Sequence, residues 1–163
     1  MERLCPKCCL NCPHRLDVYM ALLDNLEQFF DLAPDENDRV NALVIHGIAA
    51  ELLKECGIVN QGYNLLASAL TYAVLDPTLL QNLKGHLYPK IASLNHTTAT
   101  RVERNIRTSI EGAWPHGDIN VLSKYFGNTI MSAKGKPTNL QFLLVMSDIV
   151  HKRCVVPHRH PVK

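Results

Sequence analysis

Apolar positions recur along this chain at helical rather than strand intervals. In residues 16–30, Leu16, Tyr19, Met20, Leu23, Leu26 and Phe30 fall on one broad stripe, so the spacing predicts an amphipathic helix. The acidic run Ala33-Pro34-Asp35-Glu36-Asn37-Asp38 then reads as a linker or tight connection. From about residue 40 the helical pattern is nearly continuous. Residues 41–56 predict a helix stopped at Gly57, the residue type favoured just past a helix end. Residues 62–75 predict a second. Asp76-Pro77 supplies an N-cap and a first-turn proline for a short third, and residues 86–94 predict a fourth. Thr97 or Thr98 caps a long helix over about 98–114. Asp118 caps the next over about 119–126, and Pro137-Thr138-Asn139 opens a last one over about 139–152. No strict alternation runs for a strand length, so the fold class is all-α.

The long helix carries the chemistry. In TTATRVERNIRTSIEGAW (97–114), Ala99, Val102, Ile106, Ile110 and Ala113 form a stripe that should face a core. The other faces hold Arg101, Arg104, Asn105, Arg107, Thr108 and Glu111. A short helix, a turn and a second helix with an arginine-rich outer face are the parts of a helix-turn-helix, whose second helix enters the DNA major groove. Arginine suits that position because its planar fork can hold guanine O6 and N7 together. Glu103 can accept from a cytosine amino group, and Lys84 and Lys90 can meet phosphates. The alternative is a solvated amphipathic helix whose Glu103–Arg107 and Arg107–Glu111 spacings make weak intrahelical pairs.

Charge strengthens the first reading. The formal net charge of +2 looks neutral, but residues 1–83 hold 5 Lys/Arg against 11 Asp/Glu, and residues 84–163 hold 12 against 4. The basic half contains the arginine helix, as a polyanion-binding surface requires. The length fits one globular domain plus an appendage and not comfortably two full domains, and no apolar run approaches a membrane span. The start lacks a signal-peptide pattern, so a cytoplasmic protein is expected. A phosphate-binding glycine loop, a dinucleotide fingerprint and a nucleophile–base arrangement are all missing, so the chain is not expected to be an enzyme.

Residues of about 40–153 resemble the C-terminal DNA-binding effector domain of the stage-zero sporulation response regulators of endospore-forming Firmicutes. The resemblance covers about 70% of the chain and is densest in LYPKIA (87–92), NHTTATRVERNIRTSIEGAW (95–114) and FGNTI…KGKPTNLQF (126–142). It implies a six-helix effector domain that binds a short promoter box on double-stranded DNA, activates or represses transcription, and can bind in tandem. It implies base and phosphate contacts at Arg101, Glu103, Arg104 and Arg107. Thr108 stands where the family commonly has histidine. It also implies a contact with the RNA polymerase sigma subunit around residues 118–127 and 145–152. The family's phosphoacceptor receiver domain has no counterpart in the roughly 40 residues before this segment. Regulation without phosphorylation in cis is therefore expected.

The division expected is a Cys-rich segment, helix and acidic linker over 1–38, the effector domain over 39–153, and a basic tail over 154–163. The motif CPKCCLNC places Cys5, Cys8, Cys9 and Cys12 within eight residues. Paired thiolates suit zinc. Because the two pairs abut, a site shared by two chains is geometrically easier than a loop wrapped round one ion. A redox switch and a reduced, unstructured N-terminus remain alternatives. The helix over 16–30 would either pair with a second copy, giving a homodimer, or pack on the effector domain. No cofactor is expected to be required by the effector domain itself. Two functional alternatives stay open: an interaction protein that modulates a full-length relative or RNA polymerase, and a metal or redox sensor acting through the N-terminal cysteines.

Overall fold

A computed structural model describes residues 36–130 and 135–155, with side chains described over 41–127 and 135–154. Among the described residues every regular element is helical. They are α1 (Glu36–Glu55), α2 (Tyr63–Leu75), a 3₁₀ turn (Pro77–Gln81), a π turn (Leu83–Leu87), α3 (Tyr88–Leu94), α4 (Ala99–His116), α5 (Ile119–Ile130) and α6 (Asn139–Val155). The all-α reading of the sequence holds.

The α2 sequence, YNLLASALTYAVL, has no charged side chain, and Leu65 to Ala73 are buried without interruption. A helix that is apolar all round must sit inside the domain. Accordingly α2 packs on α1, α4 and α6, and those helices supply the polar exterior. Leu52, Leu66, Leu70, Leu87, Ile91, Ile106, Phe142 and Met146 are fully shielded from solvent. An aromatic column closes the far end. Trp114 meets Phe126 edge-on with centroids 5.4 Å apart, and Phe126 stacks on Phe142 at 5.3 Å. Trp114 is half-buried, so it anchors the end of α4 from the rim of the core.

Several boundaries differ from the sequence expectation. The helix α1 begins at Glu36, inside the stretch read as a linker. Acidic residue types are favoured in a first helical turn, so the same residues that suggest a linker also suit a helix start. The segment after Asp76 is a 3₁₀ turn, with Asp76 Oδ1 accepting from Thr78 N–H at 3.1 Å as the expected cap. The fourth helix is split into the π turn and α3. Helix α4 runs through Pro115 to His116, α5 reaches Ile130, and α6 reaches Val155.

Gly57 ends α1 as expected, with φ +79°. Its N–H donates to Lys54 O at 2.9 Å, and Ile58 N–H donates to Leu53 O at 2.9 Å, the paired bonds of a Schellman stop. This turn packs directly on the end of α4: a Cβ on Gly57 would lie 2.8 Å from Gly117 Cα.

Candidate nucleic-acid interface

The connection between α3 and α4 is four residues long. Helix α3 stops with Asn95 N–H donating to Ile91 O at 3.1 Å and Thr97 N–H donating to Ala92 O at 3.0 Å. Between them His96 takes the left-handed conformation, φ +48°, in the place where glycine or asparagine is usual. Thr98 then caps α4, its Oγ1 accepting from the Arg101 N–H at 3.3 Å. The bond that starts the helix therefore fixes the backbone of its first arginine.

On α4, Val102, Ile106, Ile110 and Ala113 are buried as expected, Ala99 at the start of the stripe is half-buried, and Ser109 joins the buried set. Arg101, Arg104 and Thr108 lie on the opposite, solvent-exposed face. One flank is held by Ser109, whose hydroxyl donates to Asn60 Oδ1 at 2.6 Å; the same oxygen accepts from Gly62 N–H at 3.1 Å. The other flank carries Glu103 and Arg107. Glu103 Oε1 is 3.4 Å from Lys84 Nζ and 3.8 Å from Arg107 Nη2. The Glu103 side chain is 24% exposed, whereas Lys84 is 78% and Arg107 61% exposed. Exposed pairs of this kind contribute at most about 1 kcal/mol each. Their consequence is orientation: one carboxylate gathers two cations beside the outer face of α4.

The structure thus brings Arg101, Glu103, Arg104, Arg107, Thr108 and Lys84 together on and beside one helix. Lys90 is placed differently. Its Nζ lies 4.9 Å over the Tyr72 ring of α2, a cation–π contact. No distance ties it to the arginine face.

Three supports of this surface have little signature in the sequence. Buried Asn139, the first residue of α6, donates through Nδ2 to Tyr88 Oη at 3.0 Å and to the Glu103 main-chain carbonyl at 3.3 Å. One amide therefore ties α6 to α3 and to the backbone of α4. Beside it, Thr138 Oγ1 accepts from Gln141 N–H at 3.2 Å while Gln141 Oε1 accepts from Thr138 N–H at 2.9 Å. A Thr-x-x-Gln preceding an apolar run is the local pattern that could have marked this reciprocal capping box. Third, Arg153 on α6 forks onto Glu55 at the end of α1, with Nη1–Oε1 and Nη2–Oε2 both 2.9 Å. Tyr125 of α5 donates to Glu55 Oε2 at 2.9 Å and accepts from Arg153 Nη2 at 2.7 Å. The Arg153 hydrogen bond holds the Glu55 carboxyl below its ordinary range, and Glu55 in turn raises the guanidinium.

Other titratable groups belong to the interior. His46 is buried, with Nδ1 3.1 Å from Thr71 Oγ1. Thr71 Oγ1 donates to Ala67 O at 2.7 Å, so the shared bond is the imidazole Nδ1–H donating to the hydroxyl. Burial lowers the imidazole to about 4. Burial likewise pushes the Cys56 thiol up to about 12 and Cys154 to about 11, which makes both poor nucleophiles. Cys5, Cys8, Cys9, Cys12, the helix expected over 16–30 and the tail beyond Val155 lie outside the described residues. Among the described residues no cluster of His, Cys, Asp and Glu could hold a metal ion, and no helix is long and apolar enough to cross a membrane.

An all-α domain with a four-residue turn leading into an arginine-faced helix, its inner face locked in the core, has the parts of a helix-turn-helix domain. The family model described as the sporulation initiation factor Spo0A C terminal matches residues 49–150. That match spans more than half of the chain, and the chain belongs to this family.

Proposed function

We propose that the chain regulates transcription by sequence-specific binding, with α4 lying in the major groove of double-stranded DNA. The observation that carries this reading is the outer face of α4, where Arg101, Arg104 and Thr108 are exposed on a helix whose opposite face is fixed in the core. In this reading Arg101, Glu103 and Arg104 meet base edges, and Arg107, Thr108 and Lys84 meet the flanking phosphates. Lys90 is not needed for it. Replacing Arg104 by Ala should cost about 1–3 kcal/mol of binding and relax one base position. The test is fluorescence anisotropy with DNA carrying the family's promoter box and with a scrambled duplex, across a salt series. Tighter binding to the box supports the reading; equal affinity for both, or no binding at low salt, overturns it.

A second contact, with an RNA polymerase sigma subunit, is favoured by Ile119, which is 56% exposed at the start of α5 within the region that the resemblance assigns to it. Co-purification with sigma and its loss in Ile119→Asp would support that contact; unchanged capture would remove it. Zinc at Cys5, Cys8, Cys9 and Cys12, one pair from each of two chains, rests on thiol spacing. Elemental analysis and the oligomeric state with and without chelator test it, and a metal-free, chelator-insensitive protein rules it out.

A further inference from the structure

A groove runs along the flank of α4 away from Asn60. It is lined by Arg107, Ile110 and Glu111 from α4 and by Lys136, Pro137, Thr138 and Asn139 from the segment that opens α6. The two walls are held in register, because buried Asn139 bonds the carbonyl of Glu103 on α4 and the hydroxyl of Tyr88 on α3. Pro137 is buried and its ring fixes φ at the residue just before Thr138. Lys136 is the exposed residue at its lip.

We infer that Lys136 is a further DNA-contacting residue, a phosphate clamp in the segment that opens α6, beside the proposed recognition helix. This rests on the proposed docking of α4. With Arg101 and Arg104 toward the base edges, Arg107 is the first cation on the α6 flank, and Lys136 faces it across the groove. A sugar–phosphate strand borders a helix lying in the major groove on each side, and lysine is a suitable point charge for it. The α6 terminus does not itself supply the site, since Thr138 and Gln141 already cap each other there. Glu111 on the α4 wall disfavours an anion deep in the groove, which places the phosphate at the Lys136 lip.

The clamp carries no sequence information, and that distinguishes it from the arginines. The experiment compares the full chain with Lys136→Gln and Lys136→Arg on the promoter-box duplex and on scrambled DNA, from low to moderate salt. Lys136→Gln should weaken both duplexes by the same factor and make the log K versus log salt slope shallower by about 0.9, one lost phosphate contact. Lys136→Arg should restore the slope, and neither change should alter the thermal melt of this exposed position. An unchanged slope in Lys136→Gln, or a loss confined to the box, overturns the clamp. If the unaltered chain prefers neither duplex, the docking of α4 fails instead. A wild-type preference with an unmoved Lys136→Gln slope removes the clamp alone.

Discussion

Asn139 Nδ2 donates to the main-chain carbonyl of Glu103 at 3.3 Å, joining the first residue of α6 to the middle of the arginine helix. The same amide reaches the buried hydroxyl of Tyr88 at 3.0 Å. Asn139 is 8% exposed, so its partners cannot turn to water when it is removed. Asn139→Ala should cost about 1–3 kcal/mol, the penalty for stranding a buried polar group. The measurement is urea unfolding of both proteins. Tyr88→Phe should lose less, because Asn139 keeps the Glu103 carbonyl. Equal losses would show that the hydroxyl, not the α4 carbonyl, is the important partner.

The contact between Gly57 and Gly117 separates two kinds of glycine requirement. Gly57 needs its φ of +79° and has Gly117 Cα 2.8 Å from the position of a Cβ. Gly117 has an ordinary φ of −80°, yet its Cβ would meet Ala113 O at 2.5 Å and Cys56 O at 2.6 Å. Gly57→Ala combines backbone strain and a clash; Gly117→Ala is steric alone. Both should destabilise by about 1–3 kcal/mol or more. Gly57→Asn, which tolerates the left-handed region, should recover only the strain share. Full recovery would mean that the close approach is relieved at no cost.

The arginine helix and its core stripe were legible because they are local: a 3.6-residue period and a cap lie within twenty residues of sequence. The chain ends of the helices were less so, since Glu36 and Asp38 suit a linker and a helix start equally. The Glu55–Tyr125–Arg153 cluster was not legible at all. Its members are separated by 70 and 98 residues, and no pairwise spacing marks them. Asn139 was seen only as part of a helix start, because its second role depends on where α3 and α4 lie. Lys84 and Lys90 look alike in sequence. Packing distinguishes them, sending one to Glu103 and the other over Tyr72.

Acid should destabilise the domain in two stages. Burial lowers His46 from 6.5 to about 4, so between these values the unfolded chain binds a proton that the native chain refuses. Stability contributed by neutral His46 is complete above 6.5 and is lost as pH falls toward 4, up to about 3 kcal/mol. Glu55 has the same sign at lower pH. Its carboxyl is depressed below 4.5, chiefly by the Arg153 hydrogen bond, and its stabilisation disappears as pH falls through the folded value. Denaturant midpoints at pH 7, 5 and 4 should drop for the unaltered protein. His46→Gln should flatten the change between 7 and 5 while leaving the lower stage. A slope that persists in His46→Gln would assign it to another group.

Glu103 pairs with two of the cations that the proposed docking assigns to phosphates. Its carboxylate lies 3.4 Å from Lys84 Nζ and 3.8 Å from Arg107 Nη2, both exposed enough to leave it for phosphate. Glu103→Gln keeps the shape, removes one negative charge from the face that the proposed docking turns to DNA, and releases both cations. Stability should change by less than about 1 kcal/mol, since the pairs are largely solvated. Non-specific affinity should rise, because less repulsion opposes the phosphates. Affinity for the promoter box should rise less than that, or fall, because a carboxylate that accepts from a cytosine amino group is lost. The box-to-scrambled affinity ratio is therefore the quantity to measure, at fixed salt, for Glu103→Gln against the unaltered chain. A reduced ratio assigns Glu103 a base contact. A ratio that stays constant while both affinities climb would confine Glu103 to holding Lys84 and Arg107, and would leave base reading to Arg101 and Arg104.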